Sequence, residues 1–222
     1  MSAGSRAIRL LLSEYEAEPK LVLENVWEGH PEFLDMNPAG SLPVFVDRDD
    51  PPIVGGMVIA EYLDETLGVL RRDQRLYPDG SIARAEMRRL CEWAFVKLED
   101  EVTRYIVNER VTKRQMPSAK GGGAPDSSAL RFARANISHH LKYLDWLAAT
   151  RNWMCGEELT FADLAVAGAL SVLDYLGEID WSESEHLKNW YARLKSRPSF
   201  RPLLAERLRG MPPVSHYVDL DF

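Results

Sequence analysis

The stretch "GEELTFADLAVAGALSVLDYLG", residues 156–177, constrains this chain more than any other. From Phe161 to Tyr175 apolar residues fall on almost every side of a helical projection, and such a helix has no face to give to water. It is expected at the centre of a helical domain. Its start is equally marked, because Thr160 and Asp163 have the T-x-x-D spacing of a capping box, flanked by Leu159 and Leu164 as a hydrophobic staple. Thr160 and Asp163 are therefore read as structural residues, a lost cap costing about 1 kcal/mol.

The remaining pattern is mixed at the front and helical behind. In "SRAIRLLLSEYEAE" the residues Ile8, Leu11, Leu12 and Tyr15 line one helical face, with Ser5 as the expected N-cap. "PKLVLENV" reads as a short strand and "HPEFLDMNP" as a helical turn that Pro38 stops. "SLPVFVDRDDPPIVGG" predicts a hairpin of two short β-segments, Pro43–Val46 and Ile53–Val54. Val58, Ile59, Tyr62 and Leu63 form the next helical face, which Gly68 ends. "VLRRDQRLYPDG" has little periodicity and marks a linker. Beyond it a long helix is expected from Ser81 to Arg114, with Met87, Leu90, Cys91, Ala94, Phe95, Leu98, Val102 and Ile106 as its stripe. A loop, "MPSAKGGGAPDSS", separates it from a helix through Ile137, Leu141 and Leu144, and helices near 185–197 and 199–207 follow the central one. The expected domains are an α/β unit over 1–68, a linker over 69–80, an all-α unit over 81–210 and a tail over 211–222.

With 222 residues, 45% of them hydrophobic, the chain can bury two such cores. A formal net charge of −7 argues against nucleic acid or an anionic membrane surface as the main partner, since both demand basic footprints. Two cysteines, no signal-peptide pattern and no apolar run of membrane-spanning length lead us to expect a soluble cytoplasmic protein without membrane insertion. Cys91 lies on an apolar stripe and reads as core rather than nucleophile. His139 and His140 are adjacent, so they point to different sides of a helix, and no metal site is expected. The basic residues Arg104, Arg110, Lys113, Arg114 and Lys120 read as a solvated helix end. Trp27, in the short loop after the expected strand, reads equally as a partner contact or a packing lid.

"FLDMNPAGSLPVF", "IAEYLDE" and "GEELTFADLAVAG" occur in the order and spacing of the glutathione transferase superfamily, and the chain resembles that family over nearly its whole length. The resemblance implies a thioredoxin-like α/β domain followed by an all-α domain, and a homodimer. It also implies that Pro43 is the family's cis-proline, turning the Leu42 backbone toward a peptide-like ligand. Two departures bear on activity. Where glutathione-binding members carry an acidic residue and a serine before the third helix, this chain has Gly55 and Gly56. Leu42, Pro43, Gly55 and Gly56 are thus expected to form a vestigial glutathione site. The chain also begins about where the family's first strand ends, so roughly eight native residues, with the catalytic position among them, are expected to be missing. No catalytic residue and no cofactor are assigned; glutathione would be the cofactor if the chain were instead an active glutathione S-transferase.

The last third, with "LSVLDYLGEIDW", "KNWYARLKSRPSFRPLL" and "PPVSHYVDLDF", resembles the branch of the superfamily that serves bacterial cell division by binding the tubulin-like protein FtsZ. That likeness implies FtsZ as a partner, a dimer, a place at the division site, and a C-terminal tail that signals to other division proteins. Trp27 and the tail residues Tyr217, Val218, Asp219, Leu220, Asp221 and Phe222 are the expected partner contacts. The tail's alternation of apolar residues with Asp suits an extended peptide. A latch docked on the body is the other reading of the same residues.

Overall fold

The fold is given by a computed structural model that describes residues 1–220, the side chains of Arg72 and Asp73 apart. The first helix, α1 (Ala3–Glu14), is capped one turn earlier than expected: Ser2 is the N-cap, and its hydroxyl accepts from the Ser5 backbone at 3.2 Å. Ile8, Leu11, Leu12 and Tyr15 are buried along one side. Helix α2 (Pro31–Met36) ends just before Pro38. Strands β1 (Val44–Phe45) and β2 (Ile53–Val54) form the hairpin, antiparallel, with Val44 opposite Val54 and Phe45 opposite Ile53. Helix α3 (Gly56–Thr66) follows at once.

The strand expected in "PKLVLENV" does not form. Leu21, Val22 and Leu23 are 59%, 79% and 89% exposed, and the described sheet holds only β1 and β2. High β-propensity is expressed only where a neighbouring strand supplies a ladder and a core supplies a face to bury, and this segment has neither. The linker differs too, for Gly68–Gln74 winds into 3₁₀ turns instead of staying irregular.

Behind it the molecule is helical. Helix α4 opens at Ser81–Glu92 and continues to Lys113–Gln115 through wide π-type turns at Trp93–Lys97, Glu99–Thr103 and Asn108–Thr112. Its expected apolar stripe is buried from Met87 to Ile106, with Phe95 half-buried. Helices α5 (Ser127–Thr150), α6 (Phe161–Tyr175), α7 (Glu185–Lys195) and α8 (Arg201–Ala205) complete the domain. All 15 residues of α6 are buried, as its all-round apolar sequence requires.

The start of α6 is held by a saturated carboxylate. Asp163 Oδ2 accepts from the Thr160 backbone at 2.9 Å and the Thr160 hydroxyl at 3.2 Å, while Oδ1 accepts from the Met154 backbone at 2.8 Å and Trp190 Nε1 at 3.0 Å. The cap therefore also binds α7 and the preceding turn. Each of these buried donors would cost about 1–3 kcal/mol if left unpaired.

The α/β unit is joined to the helical one by the packing of α1 against α6. At their crossing stands Gly168, where an added Cβ would come within 2.8 Å of the Ala7 nitrogen and 3.0 Å of the Ala3 carbonyl oxygen. The obstacle is backbone on a rigid helix, so it cannot step aside. A glycine inside a helix costs about 1 kcal/mol relative to alanine, and here closeness between helices repays it. Replacing Gly168 by Ala should therefore lower stability, not raise it, by about 1–3 kcal/mol as an overpacking change. Thermal denaturation followed by circular dichroism measures this, and unchanged or higher stability would contradict the crossing.

Candidate functional site

Around the hairpin the structure brings together the four residues of the expected peptide-binding site. The Leu42–Pro43 bond is cis, as the resemblance implied. The Pro43 carbonyl accepts from the Gly55 backbone at 3.0 Å, which places the turn before β1 beside the entrance to α3. Gly55 has φ +94°, a conformation that side-chain-bearing residues rarely adopt, and it caps α3 without any side-chain hydrogen bond. At Gly56 a Cβ would stand 3.2 Å from the Phe95 ring of α4. The entrance to α3 thus offers backbone amides but neither hydroxyl nor carboxylate from positions 55 and 56, and an aromatic ring closes on it. A groove of about 320 Å³ between α3 and α4 runs along the apolar Met57, Val58, Phe95 and Val96 and the charged Glu61, Arg88 and Glu92. A larger cavity, about 630 Å³, lies elsewhere, beside Trp181, Arg134 and His216.

Trp27 sits half-buried in a 3₁₀ turn, Val26–Glu28, that Gly29 ends in a left-handed conformation. A clasp of one imidazole and two carboxylates ties the ends of this loop: His30 Nδ1 is 2.9 Å from Glu24 and Nε2 is 3.0 Å from Glu28. The turn presents Trp27 beside exposed Val26 and, earlier in the chain, exposed Leu21, Val22 and Leu23.

The tail corrects one expectation. Tyr217 was expected among the presented contacts, but it is wholly buried, and residues Ser215–Val218 form a 3₁₀ turn rather than an extended peptide. Its hydroxyl donates to the Leu203 carbonyl at 3.2 Å and accepts from Arg6 Nη1 at 2.9 Å, and its ring stands edge-on to Tyr175 at 5.1 Å. A phenol filling an aromatic pocket with its oxygen satisfied on both sides is more stable there than in water. Tyr217 is an anchor. Past it Val218 and Leu220 are each 42% exposed and Asp219 is exposed too, whereas Asp221 and Phe222 lie outside the described residues.

Around the anchor lies a buried polar cluster that the sequence did not reveal. Asp174, on the last turn of α6, accepts from Trp181 Nε1 at 3.0 Å and faces His216 Nε2 at 3.1 Å. Lys195 Nζ lies 4.0 Å from the same carboxyl group and donates to the His216 carbonyl at 3.4 Å. Burial pushes the Lys195 ammonium down to about 8, against the pull of Asp174 and Asp219. Burial also raises the Asp174 carboxyl above its ordinary value, with Trp181, Lys195 and His216 opposing. Arg6, paired with Glu206, reaches the anchor from the other side through the Tyr217 hydroxyl. The one sequence signal for these residues was that Asp174 is an acidic residue near the end of a helix that is apolar on almost every side. The expected structural residues Thr160 and Asp163 stand apart, at the opposite end of α6.

Comparison with known proteins adds the following. Residues 1–66 match the family model of the glutathione S-transferase N-terminal domain, and residues 122–207 match that of the C-terminal domain. The chain is 38% identical to FtsZ-localized protein A of Caulobacter vibrioides, covering 100% of this chain and 95% of that protein. The solved structure of FzlA from C. crescentus superposes with a TM-score of 0.91 at 38% identity, over 100% of this chain and 96% of that one. A solved glutathione S-transferase from Sinorhizobium meliloti 1021 superposes with a TM-score of 0.98 at 56% identity, over 100% of this chain and 96% of that one.

The buried lysine gives the tail anchor a measurable signature. Below about pH 8 Lys195 is charged in both folded and unfolded chains, and the cost of burying it is present in full. Between about 8 and the ordinary 10.5 the folded chain gives up the proton first, so this group's contribution makes stability rise with pH. Urea denaturation of the native protein and of Lys195→Met across this range should show a stability difference that shifts in favour of the native protein with rising pH. A difference independent of pH would contradict the burial.

Proposed function

The chain belongs to the glutathione S-transferase superfamily, and on that premise we propose that it is a non-catalytic member working in bacterial cell division, which binds FtsZ filaments as a homodimer and signals through its C-terminal tail. The observation that carries this reading is the end-to-end similarity to FtsZ-localized protein A, whose name places that relative with FtsZ. The bare glycines at 55 and 56 agree with it. A γ-glutamyl carboxylate docked there would find helix amides but no hydroxyl, and a ligand ammonium would find no carboxylate at these positions. Such a scaffold has little hold on glutathione and requires no cofactor. The partner contacts are Trp27, in its clasped turn, and the tail beyond Tyr217. We place the protein in the cytoplasm at the division site, where the tail would meet other division proteins.

A second reading is favoured by one observation, the 56% identity to a chain described as a glutathione S-transferase. On that reading the protein conjugates glutathione to electrophiles. Calorimetric titration with glutathione separates the two: no binding at micromolar concentration is expected. Micromolar binding with turnover of an electrophilic aryl halide would establish the enzyme instead.

The FtsZ reading has its own test. The native protein should sediment with FtsZ polymers, and Trp27→Ala should lose most of that sedimentation while keeping its circular dichroism spectrum. Absence of the native protein from the pellet would overturn the proposal, and full sedimentation of the variant would remove Trp27 from the interface.

A further inference from the structure

The first helix and the last turn of the described chain meet at a single buried guanidinium. Arg6 is 2% exposed, on the side of α1 that meets α6 and beside the buried Ala3, Ala7 and Leu10. Its Nη1 donates to the Tyr217 hydroxyl at 2.9 Å, the Ser171 hydroxyl at 3.0 Å and the Ser171 carbonyl at 3.3 Å. Its Nη2 pairs with Glu206 at 2.9 Å, and the guanidinium lies 5.7 Å from the centre of the Tyr175 ring. One side chain of the α/β unit thus holds α6, the segment after α8, and the tail.

We propose that Arg6 is a positioning residue that couples presentation of the tail to the docking of α1 on α6, so that the surface formed by Val218, Asp219 and Leu220 is offered in a fixed place only while the two domains are closed. The coupling follows from what each part would lose alone. If the tail lifts away, Arg6 loses one of its buried acceptors and Tyr175 loses its aromatic cover, which weakens the seat of α1. If α1 shifts on α6, the Tyr217 hydroxyl loses its charged donor. Linkage of this kind is reciprocal. The second attachment of the tail, His216 with Asp174 and Lys195, lies wholly within the helical domain and does not depend on α1. The coupling therefore runs through Tyr217, which stands between the attachment at His216 and the exposed residues Val218, Asp219 and Leu220. The proposed function gives the coupling its use: contact made by a partner at the N-terminal domain would be felt at the tail.

Hydrogen exchange of the full chain tests this without any partner. Arg6→Gln should speed exchange of the Tyr217 and Asp219 amides, which donate to Val214 and His216, by about tenfold, within the usual range for coupled sites. Tyr217→Phe, which removes one oxygen, should speed exchange across α1, and the double variant should fall short of the product of the two effects. For comparison, Arg197→Gln breaks the pair of Arg197 with Glu14 at the other end of α1, 2.7 Å long, and should loosen the tail amides less than Arg6→Gln does. The proposal is overturned if Arg6→Gln leaves the tail protected, if Tyr217→Phe acts only on the tail, or if Arg197→Gln loosens the tail as much. Should Arg6→Gln fail to fold, the response of α1 to Tyr217→Phe decides alone. Loss of FtsZ sedimentation by the native protein, with these exchange results intact, would sink the proposed function and leave the coupling in place.

Discussion

The closeness of α1 to α6 is the constraint on which the rest of the structure depends. Gly168 lets two helix backbones touch where any side chain would hold them apart, and Ala3 and Ala7 on α1 present small side chains to the same crossing. Because α6 is buried all round, this crossing fixes the α/β unit against the middle of the helical domain and not against its edge. Arg6 is carried into the interior by the same approach. A guanidinium so placed must find acceptors, and it finds them on α6, on the segment after α8 and on the tail. The tail's docking is thus a consequence of how closely two helices pack elsewhere.

Around that crossing the molecule divides its polar groups by task. Asp163 gathers four donors and serves the fold. Asp174, about three turns further along the same helix, gathers Trp181, His216 and Lys195 and serves the attachment of the tail. At the entrance to α3, where the family's substrate would be recognised, positions 55 and 56 provide only backbone. The buried polar groups around Asp174 and Arg6 stand where a peptide leaves the body.

Much of the fold was legible because it rests on local pattern. The capped, all-round apolar helix, the hairpin between two short apolar runs and the long stripe of α4 each carry their burial in their own spacing. The π-type turns in α4 were not legible, since an inserted residue shifts a stripe by less than a helical face is wide. The strand expected at "PKLVLENV" failed for the opposite reason: its residues favour a ladder, but a ladder needs a neighbour that the window does not contain. At the candidate site, Leu42, Pro43, Gly55 and Gly56 were found by motif and are adjacent in space. Arg6, Asp174 and Lys195 were missed because a charged residue on a helix is ordinarily a solvated one, and only the packing of a second element reverses that.

The tail shows where the division falls. The sequence by itself determined that the tail mixes the apolar residues Tyr217, Val218, Leu220 and Phe222 with Asp219 and Asp221. It also determined that a helix like α6 must be central, and that no side chain of positions 55 and 56 could recognise glutathione. Only the tertiary structure decided that Tyr217 faces inward while Val218 and Leu220 face outward. The reason is physical: the hydrogen bond that seats Tyr217 joins it to Arg6, 211 positions away, and no local preference can encode a partner at that distance.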